Sequence, residues 1–291
     1  MAFLGIDAGA SATKWVLSDG IEIIASGKEL AMDGHIYRES TVTRMNTVLK
    51  EISTAIEGHR IDSVLAGITG YSTAGNDEAT IHNIFQSYFP ASKVKVFPDM
   101  ELAYLAELKP GAGILMYAGT GSIAVHIPTS GDVVHVGGWG YMLGDEGAGY
   151  WIGREAIRVV LEALERGTKS PFVDAILKSM DCKDWSDIRA AVYSKDRSFI
   201  ASLTSTVASL GNAGDPEAIT ILNGAAEELE KLVHRTEDIV GNKELNVVFA
   251  GGVLNPDSIP FKVLKERFGD RAIAADENIA FRASQLALNL Q

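Results

Sequence analysis

The chain carries one supersecondary unit twice. Residues 2–7, 13–18 and 21–26 are apolar runs separated by short turns, a spacing that predicts an antiparallel meander of three strands. The first turn follows Asp7 through Ala8, Gly9, Ala10 and Ser11, and the second is Ser18-Asp19-Gly20. The grammar returns at Gly113–Tyr117, Ile123–Ile127 and Asp132–Val136, again with a small-residue first turn, Ala118-Gly119-Thr120-Gly121-Ser122. A meander of this kind buries its sheet only against other elements, so each copy requires helices on its faces.

The segments between supply them. Residues 28–40 lack a period and read as a loop. Ser40 then reads as an N-cap, and Val42, Met45, Leu49, Ile52 and Ile56 recur at helical spacing. A strand at 64–68 ends in the small, hydroxylated loop Thr69-Gly70-Tyr71-Ser72-Thr73-Ala74-Gly75. A helix over 77–88, a strand at 94–97 ending in Pro98-Asp99 and a helix over 100–108 complete a β-β-β-α-β-α-β-α unit. After the second meander, the glycine-dense stretch Gly137–Gly153 opens a helix running to about 165. Residues 168–240 read as all helix, broken near Ser170-Pro171, Asp181–Asp184 and Gly211–Pro216. A strand at 245–249 ends in Ala250-Gly251-Gly252, and a helix (258–267), a strand (271–274) and a helix (278–289) follow. The expectation is an α/β protein of two duplicated domains, 1–108 and 109–277. The second carries a helical insertion over about 168–240, and the closing helix within 278–291 packs back on the first.

Composition narrows the function classes. The 291 residues are 46% hydrophobic, enough for large cores, and the net charge is −12, which argues against nucleic acid or an anionic membrane as partner. The single cysteine, Cys182, excludes an internal disulfide and a cysteine-rich metal or iron–sulfur site within one subunit. The histidines show no metal-ligand spacing. The opening apolar run of about five residues is too short for a signal peptide, and no stretch reaches the roughly 20 apolar residues of a membrane helix. A cytoplasmic protein with no membrane partner is expected.

Four strand-end features share one explanation. The Asp7 turn, Asp99, the Gly119–Ser122 turn and the Gly251-Gly252 turn all follow strands, and ligands of open sheets bind outside strand ends. Small residues let backbone N–H groups approach phosphate, Ser11 and Thr13 add hydroxyls, and Asp7 suits a hydrated divalent cation. Taken alone, the first turn is also an ordinary hairpin and Asp99 also a helix N-cap.

The ordered set resembles the actin/hexokinase/heat-shock-protein ATPase superfamily and, within it, the BadF-type ATPases with their N-acetylglucosamine kinase-like sugar kinases. Asp7–Lys14 is similar to the first phosphate motif, Gly119–Ser122 to the second and Ala250–Gly252 to the adenosine motif. Gly138-Trp139-Gly140, Gly144-Asp145-Glu146-Gly147 and Tyr150-Trp151-Ile152 resemble the glycine-rich sugar-side segment. The resemblance implies a two-lobed kinase using ATP and Mg2+. Asp7 would serve the metal, and Gly9, Ala10, Ser11, Thr13, Lys14, Gly119, Thr120, Gly121, Gly251 and Gly252 the nucleotide. Asp99 would be the general base, Asp145 would bind sugar hydroxyls, Ser122 would contact sugar or phosphate, and Trp139 would line the sugar pocket or the core. Ala8, Ala10 and Ser11 depart mildly from the first motif. The loop after the third strand departs more. It carries Asp33-Gly34-His35 and Arg38 where the family has a sugar-contacting Asn, which leaves N-acetylglucosamine and other hexoses beside a sugar acid such as 2-keto-3-deoxygluconate. The alternative is an ATPase activator or switch; an activator needs cluster thiolates that Cys182 alone does not supply. Homodimers are expected from the resemblance.

Overall fold

The computed structural model describes residues 1–9, 12–71, 77–90, 92–276 and 278–290. They form two compact units, residues 1–109 with 276–291 and residues 110–275. In the first unit the meander is β1 (Phe3–Ala8), β2 (Thr13–Ser18) and β3 (Ile23–Glu29). It is followed by α1 (Glu39–Ala55), β4 (Ser63–Ile68), α2 (Asp77–Tyr88), β5 (Lys93–Pro98) and α3 (Asp99–Glu107). The sheet runs β3-β2-β1-β4-β5, with β1, β4 and β5 parallel and the hairpin strands antiparallel.

The second unit repeats the plan with β6 (Gly113–Ala118), β7 (Ser122–His126), β8 (Val134–Gly137) and α4 (Gly149–Arg166). Four inserted helices follow: α5 (Pro171–Met180), α6 (Trp185–Ser194), α7 (Arg197–Asn212) and α8 (Pro216–Val240). Then come β9 (Asn246–Ala250), α9 (Ile259–Phe268) and β10 (Ala272–Ala274). Its sheet, β10-β9-β6-β7-β8, has the same order as the first when β6 is read for β1. The repeat visible in the sequence is therefore a repeat of topology.

Central strands of both sheets are apolar because both faces are covered. In β1, Phe3, Leu4, Ile6 and Ala8 are buried. Helix α1 buries Met45, Val48, Leu49 and Ile52 along one stripe. The last helix, α10 (Ile279–Ala287), returns to the first unit. It lies so close to β1 that a Cβ on Gly5 would stand 2.0 Å from the Ala280 carbonyl oxygen. Hydrogen bonds from Ser284 to Ser18 (2.8 Å) and from Ser63 to the Ala287 carbonyl (2.6 Å) fix it there. In the second unit Gly153 plays the part of Gly5, since a Cβ there would lie 2.0 Å from the Ile200 carbonyl oxygen on α7.

The structure corrects several local expectations. The third strand occupies 23–29 rather than 21–26, because the Asp19 carboxylate accepts the N–H groups of Ile21 and Glu22 (2.8 Å each) and holds both in the turn. Lys28 and Glu29 thus belong to β3 and not to the following loop. Ser40 is not the N-cap of α1, which starts at Glu39 behind an extended Arg38 with no side-chain cap bond. Strand β8 begins at Val134 rather than 132. The insertion has a further break at Lys195-Asp196, where the Asp196 carboxylate caps α7 through the N–H groups of Ser198 and Phe199. Among the described residues no helix is long and apolar enough to cross a membrane.

Candidate active site

In the first unit, parallel pairing aligns the carboxyl ends of three strands. Ala8 pairs with Ile68 and Ile68 with Pro98, so Asp7, Thr69 and Asp99 gather at one end of the sheet. Asp99 is the first residue of α3, and Pro98, with no side-chain bond, takes the N-cap position. The Asp99 carboxylate accepts the Met100 N–H (2.9 Å) and the Thr69 hydroxyl. Burial raises its pKa, and these donors hold it partly back.

Asp7 is pushed up to about 6, chiefly by burial. Lys14, its partner across the β1–β2 ladder, pulls the other way, and the charge of Asp99 adds to the rise. Two crowded carboxylates, one of them facing Lys14, suit a divalent cation. No group of three or more His, Cys, Asp or Glu fit to hold a metal occurs among the described residues, so such a cation would rest on Asp7 together with phosphate oxygens and water. The Gly9 N–H closes the turn onto the Ala12 carbonyl (3.1 Å). Thr13 is enclosed, and its hydroxyl has no hydrogen-bond partner among the described residues. Ala10 and Ser11 lie outside the described residues, as do Ser72–Gly75 of the loop after β4.

The loop after β3 is seated on the end of β4. The Gly34 N–H donates to the Thr69 carbonyl (2.8 Å), and a Cβ on Gly34 would strike the Tyr71 backbone at 2.5 Å. Gly70, at φ +69°, lies under the His35 ring, and a Cβ there would be 2.3 Å from it. The Asp33 carboxylate accepts the His35 backbone N–H (2.9 Å) and stands 2.9 Å from Nδ1 of the same ring. Asp33 and His35 are thereby brought beside Thr69-Gly70. Arg38 is exposed, its guanidinium 5.2 Å from the Tyr37 ring centroid.

In the second unit the β6–β7 turn is braced from within and from α4. The Gly119 N–H bonds to the Gly121 carbonyl (2.9 Å), while the Gly149 and Tyr150 N–H groups take the carbonyls of Gly119 (2.8 Å) and Thr120 (3.1 Å). The glycine-rich loop folds over this turn. Gly138 N–H donates to the Ser122 carbonyl (2.9 Å), and the Ser122 hydroxyl donates to the Glu146 carbonyl (2.8 Å). Asp145 is the pin of the loop, accepting the Ser122 N–H (3.3 Å) from a left-handed backbone at φ +62°. It sits against Gly121, where a Cβ would be 2.6 Å from its carboxylate. Burial raises the Asp145 pKa, while the Ser122 N–H and Arg197 oppose the rise.

Gly251, at φ +94°, crosses so close to β6 that a Cβ would stand 2.4 Å from the Ala118 carbonyl oxygen. Gly252 faces open space at a small cleft of about 40 Å³ lined by Thr204, Asn212, Leu222, Val253 and Asn255 among others. Trp139 is not a core residue. It is 60% exposed, has the Arg235 guanidinium 5.1 Å from its ring centroid, and lines a groove with Glu146 and Lys231. Sequence reasoning missed Thr69 and Arg197. Thr69 had a signal, being a hydroxyl one residue past the strand that neighbours the one ending at Asp99; Arg197 had none.

The profile of the BadF/BadG/BcrA/BcrD ATPase family matches residues 4–278. An N-acetylmuramic acid/N-acetylglucosamine kinase of Clostridium acetobutylicum is 30% identical over 266 residues, covering 87% of this chain and 85% of that one. An N-acetyl-D-glucosamine kinase of Dictyostelium discoideum is 28% identical over 162 residues, 53% of this chain and 51% of its own. Among solved structures, a candidate N-acetylglucosamine kinase from Porphyromonas gingivalis superposes with a TM-score of 0.79 at 20% identity, covering 99% of each chain. A ROK hexokinase from Thermus thermophilus superposes at 0.55 and 15% identity, covering 99% of this chain and 98% of that one. The fold is the duplicated actin-like ATPase fold of these kinases. Matched by the family profile over nearly its whole length, the chain belongs to the BadF/BadG/BcrA/BcrD ATPase family.

Proposed function

We propose that the chain is an ATP- and magnesium-dependent carbohydrate kinase that moves the γ-phosphoryl group of ATP to a hydroxyl of an N-acetylated amino sugar. The observation that carries this reading is Asp99, a half-buried carboxylate held by two donors at a strand end, beside the crowded Asp7. Ionised Asp99 accepts the proton of the attacking sugar hydroxyl, which then attacks the γ-phosphorus in line while ADP leaves. Asp7, with Lys14 opposite, would hold the nucleotide's cation, and magnesium there would offset charge on the phosphate oxygens. The β6–β7 turn offers the N–H groups of Thr120 and Gly121 to phosphate, and Gly252, with open space where a Cβ would stand, leaves room for the base against its backbone. Each unit carries its own candidates for sugar contacts, Asp33 and His35 in the first and Ser122 and Asp145 in the second. The amino-sugar substrate is favoured by the 30% identical relative that acts on such sugars. 2-Keto-3-deoxygluconate is weakened by Arg38, whose guanidinium is exposed beside Tyr37.

The test is ADP release from ATP over N-acetylglucosamine, N-acetylmuramic acid, glucosamine, glucose and 2-keto-3-deoxygluconate, run beside Asp99→Asn. Turnover with an N-acetylated amino sugar, reduced about 100-fold or more in the variant, is the expected result. Sugar-independent hydrolysis that the substitution leaves unchanged refutes the reading and favours an ATP-driven switch.

A further inference from the structure

Asp99 is held by a residue whose own position is fixed from three sides. Thr69 follows β4 directly; its N–H donates to the Ala8 carbonyl on β1 (2.9 Å), and its carbonyl accepts the Gly34 N–H from the loop after β3 (2.8 Å). Its hydroxyl donates to the Asp99 carboxylate. Gly67 lies two residues earlier and so on the same face of the strand. A Cβ on Gly67 would be 2.7 Å from Leu102 and 3.3 Å from the Asp99 Cα. That missing side chain lets α3 lie close enough for the hydroxyl to reach the carboxylate. Thr69 is β-branched, so its side chain has few alternative rotamers. With both backbone groups tied, it is a rigid donor.

We propose that Thr69 is a positioning residue, which fixes the rotation of the Asp99 carboxylate and joins it to the Asp33–His35 loop. A carboxylate turns about its Cβ–Cγ bond unless donors hold it. The Met100 N–H is one donor and belongs to the same helix as Asp99. The Thr69 hydroxyl is the donor that comes from the sheet, and it sets the carboxylate against an external frame. Because the Thr69 carbonyl also carries Gly34, the loop that presents Asp33 and His35 and the base that would take the proton share one anchor. Loss of the hydroxyl leaves substrate contacts in place and releases the base, so the cost falls on the chemical step rather than on binding. This rests on the kinase reading above.

The experiment is steady-state kinetics on the whole chain with the preferred sugar for wild type, Thr69→Val, Thr69→Ser, Asp99→Asn and the Thr69→Val/Asp99→Asn double variant. Thermal unfolding serves as the folding control. Thr69→Val is expected to lower kcat about 10- to 100-fold, with KM for sugar and ATP within about threefold. Thr69→Ser, which keeps the hydroxyl, stays within about threefold of wild type. In the Asp99→Asn background Thr69→Val changes the residual rate by less than about twofold, because a residue that acts through Asp99 has nothing left to position. A merely structural role would add its loss in both backgrounds. The inference is overturned if Thr69→Val turns over like wild type, if its loss is the same in the Asp99→Asn background, or if Thr69→Ser is as impaired as Thr69→Val. Should Thr69→Val fail to fold, Thr69→Ala takes its place under the same criteria. Absence of sugar-dependent turnover in wild type instead refutes the kinase reading, and this inference with it. An active wild type with an unaffected Thr69→Val refutes this inference alone.

Discussion

Asp7→Asn should make the metal-free protein more stable while abolishing its chemistry. The fold holds the Asp7 carboxyl at about 6 against an ordinary 3.8, a displacement worth about 3 kcal/mol. Burial is the largest cause, and Lys14 offsets only part of it. Because the folded-state pKa lies above the unfolded one, the folded state binds more protons between these two values, and stability falls as pH rises across that window. Above about pH 6 the penalty is fully present; below about pH 4 the group is protonated in both states and the penalty is gone. Relaxation and water entry reduce the observable gain to about 1–3 kcal/mol. Urea unfolding without magnesium should show Asp7→Asn more stable than wild type at about pH 7.5, the gap closing by about pH 4.5. Adding magnesium and ATP should stabilise wild type and not the variant. A variant equal to or weaker than wild type at the higher pH, or a gap indifferent to pH, refutes the account of Asp7 as a strained carboxylate held for a cation.

Further outcomes separate folding from binding elsewhere in the site. Gly252→Ala has open space for its methyl, so its unfolding free energy should stay within about 1 kcal/mol of wild type, while KM for ATP rises if the base lies across this backbone. Gly251→Ala meets the Ala118 carbonyl oxygen from a positive φ and should lose about 2 kcal/mol or more, read in the same unfolding assay. Asp145→Asn keeps an acceptor for the Ser122 N–H and tolerates the left-handed backbone, so it should fold normally and raise KM for sugar. The acid limb of kcat should lie above the ordinary carboxylate range, since burial raises the pKa of Asp99 and only its ionised form accepts a proton; a pH–rate profile checks this.

What the sequence made legible was local. Alternating strands, small-residue turns and the helical period of α1 are short-range patterns, and they are enough to show the duplicated plan and the strand-end aspartates. The misses have two physical origins. Some are side-chain bonds that compete with regular structure: Asp19 draws Ile21 and Glu22 out of β3, and Asp196 splits the insertion. Others arise from non-local pairing. Thr69 comes beside Asp99 because β4 lies next to β5, and the loop after β3 reaches Thr69 because it is seated on β4; neither adjacency leaves a periodic trace.

The trace that does exist is written in glycines. Gly5 and Gly67 sit inside strands whose neighbours are apolar, where glycine weakens a strand and has no local turn to serve. Each marks the spot where another backbone or helix comes too near for a Cβ: α10 at Gly5 and α3 at Gly67. Gly34 does the same in an aperiodic loop, against the backbone of Tyr71. A glycine in a strand interior close to a strand-end carboxylate is therefore a sequence-level pointer to whatever is pressed against that carboxylate's support. In this chain that pointer leads from Gly67 to α3, from α3 to Asp99, and from Asp99 to the hydroxyl of Thr69.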